Sequence, residues 1–139
     1  MISETDFEIA LDQVINDDDK IIILYSGLTS FIHRLKFKKT KPHEIPKIIL
    51  DLIEKKIGKE RTLFLPSFSG GFVSKNGSLN IEKDIDSNNG ILPKNALKRN
   101  YLRTYQPIHS YLVYGKTSII KNIEFKSSWG KKSLLEFFS

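Results

Sequence analysis

Ile21-Ile22-Ile23-Leu24-Tyr25-Ser26-Gly27-Leu28-Thr29-Ser30 is the stretch that decides the fold. Its first five residues form a continuous β-branched and apolar run. Asp17-Asp18-Asp19 precedes it and small hydroxyl and glycine residues follow, a pattern that predicts a strand buried on both faces. Downstream, Ile45, Ile48, Ile49, Leu52 and Ile53 fall on one helical stripe, with Pro46 suited to the first turn and Gly58 placed to end it. Thr62 to Leu65 then reads as a second short apolar strand. A strand, a helix and a strand in that order favour a right-handed parallel crossover. The expectation is one α/β domain, residues 1–139, with a mixed, largely parallel sheet flanked by helices in three layers.

Working outward, Thr5 and Glu8 have capping-box spacing, and Phe7, Leu11, Val14 and Ile15 recur at helical intervals up to the aspartate triplet. From Pro66 to Asn89 the chain is rich in Gly, Ser, Asn and Asp without periodicity, which predicts a long loop fit to be a lid or substrate wall. A short helix is expected over Pro93 to Arg99, strands over His109 to Tyr114 and Ile119 to Phe125, and an amphipathic turn over Lys132 to Phe138. Leu134, Leu135, Phe137 and Phe138 crowd the end of the sequence, so this segment either docks back on the core or leads into further chain.

Composition narrows the function classes. Without cysteine there is no disulfide or thiolate metal site, and the three histidines lack metal-ligand spacing, so no metal is expected. The longest purely apolar run is far short of the ~20 residues that cross a bilayer, which makes a soluble cytoplasmic protein without a membrane partner the expectation. The net charge of +6 favours anionic partners, among them a nucleotide cofactor. Nucleic acid is the minority reading, because the basic run Arg34, Lys36, Lys38, Lys39, Lys41 has only Phe37 as an interleaved aromatic. The bland reading of that run is a solvated loop. His33 and His43 flank it without a positioned partner for proton transfer.

Three clusters carry candidate chemistry. Ser26, Gly27 and Leu28 follow the first strand, where glycine permits close backbone approach and hydroxyls can bond an anion or amide. Ser67 and Phe68, followed by Ser69-Gly70-Gly71, stand in the same relation to the second strand. Ordinary strand-to-loop turns have the same composition. His109 beside Ser110 opens the third strand, and an imidazole is suited to proton transfer near neutral pH, or equally to a structural hydrogen bond.

In order along the chain, Tyr25-Ser26-Gly27-Leu28, Pro66-Ser67-Phe68-Ser69, Asn89-Gly90-Ile91-Leu92-Pro93 and Arg103-Thr104-Tyr105-Gln106-Pro107-Ile108-His109-Ser110 resemble successive motifs of the aminoglycoside 3-N-acetyltransferases, also called antibiotic N-acetyltransferases. In that family the same places read His-Ser-Ser-Leu, Pro-Thr-Phe-Ser, Thr-Gly-Ile-Leu-Pro and Arg-Ser-x-His-Pro-x-His-Ser. Tyr25 and Gln106 thus stand where the family has histidines, and the basic loop replaces a Gly-rich stretch. The resemblance implies the N-terminal portion of such a domain. It implies an enzyme that carries acetyl from acetyl-CoA to an amino group of an aminoglycoside or amino sugar, and hence a link to antibiotic resistance. It assigns His109 and Ser110 to catalysis, and Ser26, Gly27, Leu28, Ser67 and Phe68 to the cofactor. The family's proposed general base lies in a later Thr-x-x-His-x-x-Glu motif, so the resemblance also implies a second polypeptide or dimer partner supplying that part. The alternative is a non-catalytic module of the same fold that binds a carbohydrate or CoA.

Overall fold

A computed structural model describes residues 1–30, 32–37, 40–106 and 108–139, with the Phe72 side chain left out. Lys38 and Lys39 of the basic run and Pro107 of the last motif lie outside the described residues.

The first helix, α1 (Glu4–Val14), is capped by Ser3 rather than Thr5. The Ser3 hydroxyl accepts from the Asp6 amide at 3.1 Å and the Asp6 carboxylate accepts from the Ser3 amide at 2.8 Å, so the capping box is Ser3/Asp6. The short β1 (Ile21–Ile23) follows. The best-specified element is α2 (Ile45–Ile57), whose proline sits in the first turn and whose Gly58 adopts φ +62° at the C-cap. Its buried stripe holds Ile45, Ile49, Leu50, Ile53 and Ile57, with Ile48 and Leu52 at its margins.

β2 (Thr62–Pro66) is buried throughout. The stretch expected as a loop contains a helix, α3 (Gly70–Asn76), closed by Gly77 in the left-handed region. Its glycine start and short length hide it from periodicity. α4 (Ile91–Ala96), β3 (Leu102–Arg103), β4 (Tyr111–Gly115) and α5 (Leu134–Phe138) complete the described elements. The segment 119–125 is not the expected strand. It begins in a 3-10 turn and continues without regular structure, laying Ile119, Ile120 and Phe125 against the sheet.

Among the described residues four strands form one sheet in the order β1-β2-β4-β3. β1 and β2 are parallel, Ile22 beside Leu63, as the crossover through α2 requires. β4 runs antiparallel to both β2 and β3. The sheet is therefore mixed, as expected, but one pairing in three is parallel. The chain returns from β2 through loops and short helices, and nothing in an apolar run reveals which way the next strand points.

Strand alternation sorts the core. Ile22, Leu63, Leu65, Leu112 and Tyr114 face α2, α4 and α1. Phe64, Tyr111 and Val113 face α5 and the 119–125 segment. The Phe138 ring meets Phe64 edge-on at 4.8 Å between centroids and Tyr111 at 5.7 Å, so the apolar terminal helix docks on the sheet. β1 departs from expectation. Ile21 is 40% and Ile23 37% exposed, because α5 covers β2 and β4 without reaching the outer strand.

Candidate functional site

The C-terminal ends of β1 and β2 and the N-terminal end of β4 lie along one edge of the sheet, and the loops there bring together most of the candidate residues. In open α/β sheets ligands bind beyond the carboxyl ends of the strands.

The innermost layer is a polar staple. Ser67 and Ser110 are fully buried, their hydroxyls 3.0 Å apart. The Ser67 amide donates to the Ser110 carbonyl at 2.9 Å, and the Ser110 hydroxyl donates to the Ser67 carbonyl at 2.8 Å. Arg103 closes the arrangement. Its Nε donates to Ser110 Oγ at 3.0 Å, Nη2 to the Ser67 carbonyl at 2.7 Å, and Nη1 to the carbonyls of Ile81 and Asp84 at 2.6 and 2.7 Å. Burial pulls its pKa below the ordinary guanidinium value, with Asp84 acting against that. The guanidinium thus ties β2, β4 and the 80–86 loop together.

Above the staple sits an aromatic layer. Phe68 meets His109 edge-on at 5.2 Å and Tyr111 at 5.5 Å, and Trp129 covers the other side of His109 at 4.6 Å. Asn89 fixes the Phe68 backbone from both ends. Its side-chain oxygen accepts from the Phe68 amide at 2.8 Å, and its amide nitrogen donates to the Phe68 and Asp86 carbonyls at 2.7 and 2.8 Å. His109 Nδ1 is buried and finds no hydrogen-bond partner among the described residues. A buried polar atom without a partner carries a desolvation cost, and that marks it for a ligand or an ordered water.

The loop after β1 forms the third part. Tyr25 shares a 2.9 Å hydrogen bond with Tyr111, linking it to the aromatic layer, and burial followed by that bond pushes the Tyr111 phenol well above its ordinary pKa. Ser26 Oγ and Gln106 Oε1 are further buried polar atoms without a partner among the described residues. Gly90 fits against Ser26, since a Cβ there would lie 3.1 Å from the Ser26 carbonyl oxygen. Gly27 is exposed, and a Cβ on it would meet only Ser30 Oγ, so its backbone is open to approach. Leu28 is buried.

The sequence reading therefore places its candidates on one edge but at different depths. Ser26, Phe68 and His109 are half-buried and Gly27 is exposed, while Ser67, Ser110 and Leu28 are buried. Gln106 is buried too, donating to the Ser127 carbonyl at 2.9 Å. Sequence reasoning missed the parts played by Arg103, Asn89, Tyr111 and Trp129. The partners of an arginine or an aromatic ring are set by tertiary packing, and the signals present were the Asn89-Gly90 pair and a lone tryptophan. Arg34, Lys36 and Lys41 of the basic run are exposed while Leu35 and Phe37 between them are buried, and backbone bonds from Ile2 to Arg34 and from Lys36 to Ile2 anchor its stem. Among the described residues no three His, Asp or Glu side chains group to hold a metal, and no helix is long and apolar enough to cross a membrane.

These features define an α/β domain whose candidate residues gather at its strand ends. Its structural neighbours are aminoglycoside acetyltransferases. AAC-IIIb in binary complex with CoASH superposes with a TM-score of 0.70 at 14% identity, covering 96% of this chain and 54% of that one. Sisomicin-bound AAC-VIa gives 0.70 at 11% identity, covering 98% and 55%. The aminoglycoside acetyltransferase AAC(3)-IIb gives 0.70 at 13% identity, covering 99% and 55%. At such identity the likeness is one of fold, and the chain spans about half the length of these proteins. Neither a family model nor a curated protein matches the sequence.

Proposed function

We propose that this chain is the N-terminal portion of a cytoplasmic CoA-dependent N-acetyltransferase, carrying acetyl from acetyl-CoA to an amino group of an aminoglycoside or amino sugar. The single observation that carries the reading is that Ser26 Oγ and His109 Nδ1, two of the four buried side-chain polar atoms without a partner among the described residues, lie at the strand ends of a fold shared with a CoA-bound acetyltransferase. The open Gly27 backbone and the Ser26 hydroxyl suit a pantetheine amide, and the exposed Arg34, Lys36 and Lys41 suit phosphates.

In the reaction the acceptor nitrogen attacks the thioester carbonyl carbon, its proton passes to a base, the carbon–sulfur bond breaks and CoA leaves as a thiolate that is then protonated. His109 is the imidazole at these strand ends, and we assign it to proton transfer alongside the base that the resemblance puts in a later motif. Phe68 and Trp129 hold its ring, and Ser110 positions it through the backbone of β4 while Ser67 and Arg103 hold Ser110. An antibiotic as acceptor would make the protein a resistance factor, and an amino sugar of a surface polysaccharide would not.

A second reading, a binding module without transfer, draws on one observation: among the described residues no carboxylate is hydrogen-bonded to His109 to orient it. In that case catalysis needs a partner polypeptide or subunit. Calorimetric titration with CoA at low and raised salt, followed by acetyl-CoA turnover with sisomicin and with simple amino sugars, separates the readings. Binding with turnover that falls about a hundredfold or more in His109→Gln supports the enzyme. Binding without turnover selects the module, and no binding to a cooperatively folded chain overturns both.

A further inference from the structure

Tyr25 and Tyr111 share a 2.9 Å hydrogen bond between their hydroxyls, yet their surroundings differ. Tyr111 is buried on β4, its ring held edge-on by Phe64 at 6.2 Å, Phe68 at 5.5 Å and Phe138 at 5.7 Å between centroids. Tyr25 stands just beyond β1 and is 64% exposed. Either oxygen can donate in such a pair, and burial decides which one does. Were Tyr25 the donor, the Tyr111 proton would be left among aromatic rings with no other acceptor among the described residues, at the desolvation cost of an unmade bond. With Tyr111 as donor both protons are satisfied, that of Tyr111 on the Tyr25 oxygen and that of Tyr25 turned to the outside. Burial also keeps Tyr111 protonated, since it lifts the phenol well above its ordinary range. A hydroxyl that already accepts one hydrogen bond is polarised into a stronger donor.

The outward hydroxyl lies among the candidate residues. Tyr25 immediately precedes Ser26 and Gly27. Phe68 touches both the Tyr111 ring and the His109 imidazole, so the phenol pair and the imidazole flank one aromatic ring. We infer that Tyr25 is a catalytic residue of the acetyl transfer, donating a hydrogen bond to the thioester carbonyl oxygen, and that Tyr111 is the positioning residue that orients and polarises it. The role rests on the acetyltransferase reading. As the acceptor nitrogen attacks, the carbonyl π pair moves onto oxygen, and the Tyr25 hydroxyl holds that charge without giving up its proton. The pair returns when the carbon–sulfur bond breaks and CoA leaves as a thiolate. A donor fixed in advance stabilises this charge with no reorganisation at the moment of reaction, and the aromatic contacts around Tyr111 supply the fixed end.

Acetyl-CoA turnover by the full chain with sisomicin and with simple amino sugars tests the role, alongside calorimetric CoA binding and urea unfolding. In Tyr25→Phe kcat should fall about a hundredfold, the worth of one donor to a developing oxyanion, with KM and CoA affinity within ~3-fold of wild type. Tyr111→Phe keeps the Tyr25 hydroxyl and should lose ~10-fold in kcat, again without a matching rise in KM. Because Tyr111 acts through Tyr25, the double variant should be no slower than Tyr25→Phe alone. It also orphans neither hydroxyl, so it supplies the measurement should Tyr25→Phe fold poorly. Proton NMR reads the bond's direction without turnover, with a hydroxyl proton protected from exchange expected on Tyr111 and none on Tyr25. Three results, with the wild type active, overturn the role and leave the activity standing. They are a Tyr25→Phe kcat within ~3-fold of wild type, a double variant slowed by the product of the single losses, and no protected proton on Tyr111. A wild type without turnover overturns the activity and this role together.

Discussion

Arg103→Ala removes four hydrogen bonds at once, to Ser110 Oγ and to the carbonyls of Ser67, Ile81 and Asp84. A bond from a charged donor contributes ~1.5–3 kcal/mol net, and truncation leaves buried acceptors without a partner. The four do not add, because they share one desolvated guanidinium, whose burial already opposes its charge. The expected loss is ~3 kcal/mol, most of it from the Ser67, Ile81 and Asp84 carbonyls. With a urea dependence of ~2 kcal/mol/M for a chain of this size, the unfolding midpoint should fall by ~1.5 M. Arg103→Lys keeps the charge but loses the fork, and should recover less than half of that loss. Amide exchange supplies the second reading, since residues 80–86 should open before the sheet does. A midpoint within ~0.3 M of wild type, or a loss spread evenly with 80–86 still protected, would refute the reasoning.

Gly115 has φ +87°, and a Cβ there would collide with the Arg61 carbonyl and reach 3.0 Å from Ile57 Cγ2, so Gly115→Ala should cost ~3 kcal/mol in urea unfolding. Gly77→Ala, at φ +68° with open space around it, should cost only ~1 kcal/mol, and equal losses at the two positions would contradict the collision argument. Burial first, and a hydrogen bond second, raise the phenols of Tyr101 and Tyr111 above their ordinary range. The folded state therefore holds these protons more tightly than the unfolded state. The stability they contribute is complete below about pH 10 and is lost as pH rises beyond it. Phenolate absorbance from these two should appear together with alkaline unfolding, and its appearance in a folded chain near pH 10 would count against their burial. Ser26→Ala should weaken CoA binding by ~3- to 10-fold in calorimetry, the worth of one hydrogen bond. An unchanged affinity would remove Ser26 from the cofactor side.

α2 was legible because its amphipathic stripe, first-turn proline and terminal glycine all act within one element, and it runs from Ile45 to Ile57 as read. β2 was legible for the same reason, and so were the small-residue loops that follow β1 and β2, since turn chemistry is local. The first helix ends at Val14, short of the aspartate triplet expected to stop it, and Ser3 with Asp6 caps its start because more than one hydroxyl had the right spacing. The direction of β4, the exposure of β1 and the helix inside the Gly-rich stretch depend on neighbours far away in sequence, which an apolar run does not record. The site divides along the same line. Sequence order brought Ser26, Phe68 and His109 forward as residue types, but only packing decided that Ser67 and Ser110 lie sealed beneath Arg103 while His109 and Ser26 keep atoms without a partner among the described residues. Local propensity acts over a turn or two of chain, whereas burial and hydrogen-bond partnership are settled between residues tens of positions apart.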